Sequence, residues 1–167
     1  YATQSLRHLI VVAIHAGDRI HEYGTANRTD YKNRGNKAGA YTSFLLEELI
    51  PALRKRYRLS KVREDVAFAG FSLGGLSAFD IAWSHPHYFS KTGVFSGALW
   101  WRHQAFTHDN PDAHRIIHEV VRESPKRENM RFWFQCGTND ETDDRNGNGI
   151  IDAIDDTLDL IKELEQK

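Results

Sequence analysis

The segment Gly70-Phe71-Ser72-Leu73-Gly74 has the composition of a serine nucleophile site. It lies between an apolar run at residues 66–69 and a helix-like segment beginning near Leu76, so the chain passes from strand to helix through a sharp turn. Such a turn projects the serine hydroxyl away from the strand, and the glycines on either side relieve the crowding. The Leu73 amide N–H, at the start of the helix, can then stabilise an oxyanion. We predict that Ser72 is a nucleophile; the alternative is a glycine-rich turn that contains a serine by chance.

A serine nucleophile needs a base and a carboxylate that orients the base. Asp140 follows a predicted strand at residues 130–136, where its carboxylate would project from the strand end, and we predict it as the acid. The alternatives are the acidic residues that come next, Glu141, Asp143 and Asp144. The alternative to a catalytic role is that Asp140 only caps a turn. None of the nine histidines follows Asp140, so these residues offer no base in the order Ser, Asp, His.

Residues 144–155 match the twelve-residue calcium loop of EF-hands. Oxygen-bearing side chains fall at loop positions one, three, five, nine and twelve, and glycine falls at position six, where the backbone must turn tightly. The predicted ligands are Asp144, Asn146, Asn148, the carbonyl of Ile150, Asp152 and Asp155. Asp155 replaces the longer bidentate glutamate, so we expect modest affinity for Ca²⁺. The alternative is an Asn-Gly turn followed by an acidic helix cap.

The elements that must position these residues alternate along the chain. Apolar and β-branched runs predict strands at residues 9–14, 65–69, 92–96 and 130–136. Helical periodicity predicts helices at residues 38–57, with a kink or break near Ile50 caused by Pro51, and at 76–84, 111–123 and 153–166. This order predicts an α/β fold with a mostly parallel sheet and helices on both faces.

Two regions are candidates for substrate binding. Residues 15–37 form a long polar loop after the first predicted strand, where α/β proteins place ligand sites, and they include Arg19 and Tyr23. Trp100 and Trp101 follow another predicted strand and could form an apolar wall for a substrate. The alternative for the polar loop is a solvated loop without a binding role, and the alternative for the tryptophans is a packed core pair.

Composition excludes several classes of protein. The net charge of −1 gives no electrostatic case for binding nucleic acid or an anionic membrane, and no apolar run is long enough to span a membrane. The single cysteine excludes an internal disulfide but leaves the compartment open, and we favour a periplasmic or secreted location over a cytoplasmic one. His114 and His118 lie four apart on a predicted helix, and we interpret them as a surface pair rather than as metal ligands.

The whole chain resembles the putative-esterase family of α/β-hydrolases, which includes esterase D, enterochelin-esterase-like, feruloyl-esterase-like and antigen-85-like proteins. The residues that carry the resemblance are the 9–14 run followed by Arg19 and Glu22-Tyr23, residues 37–42 leading to Glu48-Leu49-Ile50-Pro51, residues 69–75, Phe95-Ser96-Gly97, and Gly137-Thr138-Asn139-Asp140. The resemblance implies that Ser72 is the nucleophile and Asp140 the acid. It also implies that the catalytic histidine lies beyond Lys167 and that the second oxyanion N–H precedes Tyr1.

We therefore expect one partial α/β-hydrolase domain over residues 1–167, incomplete at both ends, from a serine carboxylesterase that uses no cofactor for catalysis. This fragment alone should lack efficient activity, because Ser72 would have no base and half an oxyanion hole. The expected partner is a small-molecule ester bound near Arg19, Tyr23, Trp100 and Trp101, and the oligomeric state stays open. An acyltransferase with the same acyl-enzyme and a non-catalytic, calcium-stabilised binding domain are the alternatives.

Overall fold

The computed structural model describes residues 9–167 of the chain. Three strands form its sheet: β1 (Ala67–Phe71), β2 (Lys91–Phe95) and β3 (Arg131–Gln135). The α-helices are α1 (Arg19–Glu22), α2 (Ala38–Ser43), α3 (Ile50–Arg56), α4 (Leu73–Ser84), α5 (Ile116–Glu123) and α6 (Asp152–Glu165). A π-helical segment (Phe44–Leu49) joins α2 to α3, and a 3₁₀ turn (Arg63–Asp65) precedes β1.

The sheet is parallel, with the strands in the order β1, β2, β3. Phe71 pairs with Phe95, and Phe95 pairs with Gln135, so all three strands end at the same edge. Ser72, Ser96 and the loop after β3 therefore begin side by side. The predicted α/β architecture with a parallel sheet is confirmed. The strands and helices that follow residue 60 lie close to their predicted positions, except that α5 begins at Ile116, five residues later than predicted.

Within residues 9–167 the helices cover only one face of the sheet, whereas the sequence predicted helices on both. Phe68, Phe132 and Phe134 point to the covered face and pack against side chains of α4. The alternate residues are exposed, and Phe71 and Trp133 retain 66% and 67% of their accessible surface. Side chains alternate between the two faces of a strand, and the buried side chains of α4, α5 and α6 pack on the face that carries Phe132 and Phe134.

The predicted strand at residues 9–14 is wrong in this structure, because these residues form no strand. Leu9, Ile10 and Val11 are exposed, with Val11 at 85% of its accessible surface. A strand needs hydrogen bonds from a neighbouring strand, and the sheet that residues 9–167 form does not include this run. The β-branched composition indicates a preference for extended backbone, but it cannot supply the partner.

The predicted helix at residues 38–57 is present as α2, the π-helical segment and α3 in direct succession. Pro51 has no N–H to donate to the carbonyl four residues before it, and this loss falls where the π-helical segment passes into α3. The expected irregularity near Ile50 is thus a widened turn rather than a break. Tyr41, Leu45 and Leu46 of this helical region are buried against Ile81 and Ala82 of α4.

The interpretation of His114 and His118 as a surface pair is wrong. Helix α5 begins at Ile116, so His114 precedes it and the two imidazoles do not share a helix face. His118 is buried, and one ring nitrogen lies 2.9 Å from the carbonyl oxygen of Asp156 on α6. No helix among residues 9–167 is long and apolar enough to cross a membrane.

Candidate active site

Ser72 lies on the turn between β1 and α4 with φ 58° and ψ −124°. A positive φ is uncommon for a residue with a side chain and strains the backbone. The turn is held from both sides, since the Ser72 N–H donates to the Phe95 carbonyl (3.0 Å) and its own carbonyl accepts from the Gly75 N–H (2.9 Å). Within residues 9–167 the Ser72 side chain forms no capping bond to α4. The hydroxyl is therefore directed away from its own helix.

Gly70 is the glycine that the turn requires. A Cβ at position 70 would lie 2.1 Å from the carbonyl oxygen of Gly74 and 2.3 Å from its carbonyl carbon. A Cβ on Gly74 would meet only the ring of Tyr23, at 3.5 Å. The sequence predicted that both glycines relieve crowding, and the structure assigns that role to Gly70, because the strand and the helix backbone touch there.

The Leu73 N–H is the candidate oxyanion donor. Leu73 is the first residue of α4, and N–H groups in a first turn have no carbonyl partner inside the helix. The side chain of Leu73 is buried in the core, which fixes the backbone at that point. The N–H and the Ser72 hydroxyl thus stand on adjacent residues of one rigid turn.

Arg19 contacts the candidate nucleophile directly. Its Nη2 donates a hydrogen bond to the Oγ of Ser72 over 3.2 Å, although 53 residues separate the two in the chain. Arg19 begins the short helix α1 and is exposed. The sequence predicted Arg19 as a substrate-binding residue, and the structure brings it to the serine.

The polar loop that carries Arg19 is anchored to α4. The Gly24 N–H donates to the Ser77 hydroxyl (2.8 Å), and the Ala26 N–H donates to the Asp80 carboxylate (2.9 Å). Tyr23 packs beside Gly74, and its ring meets that of Tyr41 edge to face, with 5.4 Å between centroids. Burial raises the pKa of Asp80 to about 6. The loop is therefore fixed to the same helix that begins at the serine.

Asp140 lies in the loop after β3 and accepts two hydrogen bonds. The Ser96 hydroxyl donates one to its Oδ2, and the Gly137 N–H donates the other over 2.7 Å. These bonds stabilise the carboxylate and hold the pKa of Asp140 below its usual value, with the larger effect from Ser96 and the smaller from Gly137. The side chain is exposed, which leaves the carboxylate accessible to a further donor.

Ser96 is a site residue that the sequence reasoning did not select. It follows β2 directly, has φ 43°, and its N–H donates to the Gln135 carbonyl (2.7 Å). It therefore stands between the ends of β1 and β3, where it links Asp140 to the edge that carries Ser72. The signal available in the sequence was its place after a strand, in Phe95-Ser96-Gly97.

The two tryptophans have different environments. Trp101 is fully buried and packs against Gly24 and Gly35, so the expectation that it lines a substrate pocket is wrong, and the core alternative holds for it. Trp100 is half-buried, and the guanidinium carbon of Arg34 lies 5.3 Å from its ring centroid. Of the pair, only Trp100 is placed where a ligand could reach it.

Two open clefts lie outside the elbow. One, of about 650 Å³, is lined by Trp100, Arg102, Phe106, His108, Glu141, Asp143, Asp144, Arg145 and Asp152. The other, of about 360 Å³, is lined by His15, Gly17, Glu22, Lys37, Ala40, Tyr41 and Phe44. Neither cleft is lined by Ser72. The candidate active site is therefore defined by the contacts around the serine and not by a large cavity.

The predicted calcium loop adopts a tight conformation. Gly147 and Gly149 have φ of 69° and 84°, and the Asp144 carboxylate accepts the N–H groups of Asn148 (3.1 Å) and Gly149 (2.9 Å). The side-chain amides of Asn146 and Asn148 both donate to Oδ2 of Asp155, over 2.8 and 3.1 Å. The Ile150 N–H donates to the Asn148 side chain over 2.8 Å. Five of the six predicted ligand residues are thus linked to one another by hydrogen bonds.

Asp152 is held differently from the other predicted ligands. Its Oδ1 accepts a hydrogen bond from the Arg145 N–H (2.9 Å) and lies 3.1 Å from the Arg145 guanidinium. Arg145 also pairs with Asp112 and Asp156, both at 2.6 Å. The loop is therefore tied to the start of α6 by charge as well as by backbone.

The sequence matches a known protein family. A family model described as "Putative esterase" matches residues 1–160. The chain belongs to this esterase family. A curated relative, "Uncharacterized protein YbbA" of Bacillus subtilis (strain 168), is 26% identical to the esterase-family chain over 111 residues, which are 64% of the chain and 44% of the relative.

Solved structures support the fold. The enterobactin esterase FES from Shigella flexneri, determined in the presence of enterobactin, matches with a TM-score of 0.63 and 20% identity, over 90% of this chain and 32% of that one. A ferulic acid esterase matches with a TM-score of 0.54 and 20% identity, over 75% of this chain and 49% of that one. The esterase-family chain thus spans less than half the length of each of these relatives.

Proposed function

We propose that the full-length protein hydrolyses a carboxylic ester through an acyl-enzyme on Ser72. The observation that carries this proposal is the Ser72 turn: a strained, non-glycine residue between a parallel strand and a helix, with its hydroxyl free of its own helix and in contact with Arg19. Membership of the esterase family and the fold of the enterobactin and ferulic acid esterases support the same reaction class. The substrate proposed is a small-molecule ester.

The proposed reaction has two halves. In the first, Ser72 Oγ attacks the ester carbonyl carbon, its proton passes to a histidine, and the alcohol leaves with that proton. In the second, water donates a proton to the same histidine and the water oxygen attacks the acyl carbon. The bond from that carbon to Ser72 Oγ then breaks, Oγ takes the proton back from the histidine, and the acid is released. The Leu73 N–H stabilises the oxyanion in both halves, and Asp140 orients the imidazole. None of the nine histidines follows Asp140 in the sequence, and the proposal assigns the base to none of them.

Arg19 has a supporting role in this proposal. A guanidinium stays protonated in proteins, so Arg19 cannot accept the serine proton. It can hold the substrate carbonyl or a carboxylate of the substrate beside Ser72 as a charged donor. Tyr23, packed next to the elbow, and Trp100, half-buried, are the proposed apolar contacts for the acyl or alcohol group.

A fluorophosphonate probe tests the nucleophile in the full-length protein. Labelling should map to Ser72 and disappear in Ser72→Ala, while Ser43→Ala, which changes an exposed serine on α2, should label like the wild type. Asp140→Asn should lower kcat by roughly 10²- to 10⁴-fold, because the imidazole loses its orienting anion. Absence of labelling would instead favour a non-catalytic binding domain that kept the fold.

An acyltransferase would form the same acyl-enzyme and label in the same way. The two activities differ in what attacks the acyl group, so competing acyl acceptors separate them. Hydrolysis predicts that added alcohols leave the rate of acid release nearly unchanged. Transfer predicts a new ester product at the expense of the free acid.

A structural Ca²⁺ at residues 144–155 is the second proposal. It is supported by the spacing of the oxygen ligands and by glycine at the position that must turn. The acid loop is coupled to this segment, since the Asp152 N–H donates to the Asp143 carbonyl over 2.8 Å and the Ala153 N–H donates to the Glu141 carboxylate. A bound ion would therefore also fix the loop that carries Asp140.

Thermal unfolding with and without Ca²⁺ tests this second proposal. Millimolar Ca²⁺ should raise the melting temperature of EDTA-treated protein, and Asp144→Asn should remove most of the increase because it deletes the charge at the first loop position. Asp109→Asn, at an exposed aspartate outside the loop, is the matched control and should respond like the wild type. A melting temperature that Ca²⁺ does not change would refute the site.

A further inference from the structure

His103, His114 and Glu119 bring two imidazoles and one carboxylate together away from the elbow. One potential ligand atom from each residue lies within 4.8 Å of the other two. His103 Nε2 is already 3.0 Å from Oε1 of Glu119, and the two imidazole centroids are 5.0 Å apart at an interplanar angle of 69°. None of these contacts involves Ser72, Asp140 or the loop at residues 144–155, so the reaction proposed above does not use the cluster.

The backbone holds the two histidines together independently of their side chains. Arg102 and Arg115 form an isolated antiparallel bridge, and the His103 N–H donates to the His114 carbonyl over 3.1 Å. His114 has φ 65°, a left-handed conformation that costs a non-glycine residue free energy. The fold therefore maintains an unfavourable backbone at the residue whose imidazole faces His103.

Glu119 is oriented by the rest of the structure. It lies in the first turn of α5, and its Oε2 accepts a hydrogen bond from Arg28 over 3.2 Å. That bond uses one carboxylate oxygen and leaves Oε1 facing His103. A ligand carboxylate with its second oxygen held by a donor is typical of metal sites, in which outer partners orient the ligands.

Arg28 pairs with Glu119 through Oε2, and within residues 9–167 neither arginine of the bridge donates a hydrogen bond to a side chain of the cluster. The guanidinium of Arg102 donates to the carbonyls of Trp100, Ala113 and Pro111, and that of Arg115 donates to Asp112, Asp156 and Asp159. His103 and Glu119 expose 20% and 24% of their side chains, so an ion can reach them while most of their surface is enclosed.

We propose that His103, His114 and Glu119 bind a divalent transition-metal ion, with Zn²⁺ as the best match. Two imidazoles and one carboxylate are a ligand set that Zn²⁺ uses, and the fourth position stays open to water. Imidazole ligands favour Zn²⁺ over Ca²⁺ or Mg²⁺, which prefer oxygen. The ion would join the segment after β2 to α5 and, through Arg28, to the polar loop, so its expected effect is stabilisation.

Metal titration of the full-length, EDTA-treated protein tests the site. Zn²⁺ should bind at one equivalent and, at about 100 times its dissociation constant, raise the melting temperature by roughly 5–10 °C. Co²⁺ should bind in its place and give the visible absorption of a low-symmetry, four-coordinate ion. His103→Gln and His114→Gln should each weaken binding by about 100-fold or more, beyond the effect of losing an outer partner.

Two further variants keep the test decisive. His87→Gln removes an exposed imidazole outside the cluster and should bind the metal like the wild type. If a histidine variant is unfolded in EDTA, Glu119→Gln, which preserves the side-chain shape, should still weaken binding. Saturable binding that survives the His103, His114 and Glu119 changes, binding lost equally in His87→Gln, or no binding at micromolar Zn²⁺ would each overturn the proposal.

Discussion

The guanidinium of Arg19 donates a hydrogen bond to the Ser72 hydroxyl across 3.2 Å. The two residues come from different segments: Ser72 lies on the turn between β1 and α4, and Arg19 belongs to the polar loop that hydrogen-bonds to α4 through Gly24 and Ala26. One helix thus fixes both partners. The serine is presented together with a permanent positive charge, which favours substrates or intermediates with developing negative charge at that point.

Arg19→Ala should lower kcat/KM of the full-length enzyme by roughly 10- to 100-fold, because a hydrogen bond to a charged group contributes about 1.5–3 kcal/mol. Arg19→Lys should recover part of the loss, since it keeps the charge without the planar fork. Steady-state kinetics on a small ester measures both. Arg58→Ala, at another exposed arginine, should have wild-type kinetics. Equal kinetics in Arg19→Ala would contradict a role at the serine.

Gly70→Ala should destabilise the protein by about 3 kcal/mol or more, since the new Cβ would lie 2.1 Å from a carbonyl oxygen of the backbone. Neither strand nor helix can withdraw without losing its packing. The expected decrease in melting temperature is roughly 6–12 °C. Gly74→Ala is the matched control: its Cβ meets only the Tyr23 ring at 3.5 Å, and alanine favours the helix, so its melting temperature should not decrease. Similar melting curves for both variants would show that the turn is less tight than described.

Local patterns were sufficient to predict the elbow and the helices around it. Helix α4 ends at Ser84, as the following His85-Pro86 predicted, and β1, β2 and β3 lie within two residues of the predicted strands. The strand-to-helix turn at Ser72 and the position of Asp140 after β3 were also predictable, because each depends on short-range composition.

Contacts between distant segments could not be read in the same way. Trp100 and Trp101 are adjacent and identical, yet only the second is enclosed, because Gly24 and Gly35 pack against its ring from a loop that is distant in sequence. The bond from Ser96 to Asp140 joins the ends of two strands, and the cluster of His103, His114 and Glu119 depends on an antiparallel bridge. The prediction of a strand at residues 9–14 was wrong for the same reason, since a composition typical of strands does not provide a neighbouring strand.

Asp80 should make stability decrease as pH rises from about 4 to 6. Burial raises its pKa to about 6, above the unfolded value of about 3.9, so the folded protein holds a proton in this window that the unfolded chain releases. The stabilisation that comes from this bound proton is complete below pH 4 and is lost as pH rises past 6. Asp80→Asn keeps an acceptor for the Ala26 N–H and cannot ionise. Urea unfolding at several pH values should show that the variant lacks this decrease; an unchanged pH profile would mean that Asp80 does not titrate in this range.

His118 should have the opposite effect and make stability decrease as pH falls. Burial lowers its pKa to about 3, below the unfolded value of about 6.5, so the folded protein excludes a proton that the unfolded chain binds. Its contribution is present above pH 6.5 and is lost as pH falls toward 3, by on the order of 3 kcal/mol between pH 6.5 and 4. His118→Gln keeps a donor for the Asp156 carbonyl but does not titrate.

The free energy of unfolding of His118→Gln, measured by urea at pH 7 and pH 4.5, should therefore depend less on pH than that of the wild type. Asp80 and His118 oppose each other between pH 4 and 6, so the comparison is made in the Asp80→Asn background, where only the histidine contributes. His87→Gln, at an exposed imidazole, controls for the removal of a histidine and should retain the pH dependence of its parent. If His118→Gln instead retains that dependence, the imidazole is protonated in the folded protein, and its contact with Asp156 is a charged hydrogen bond.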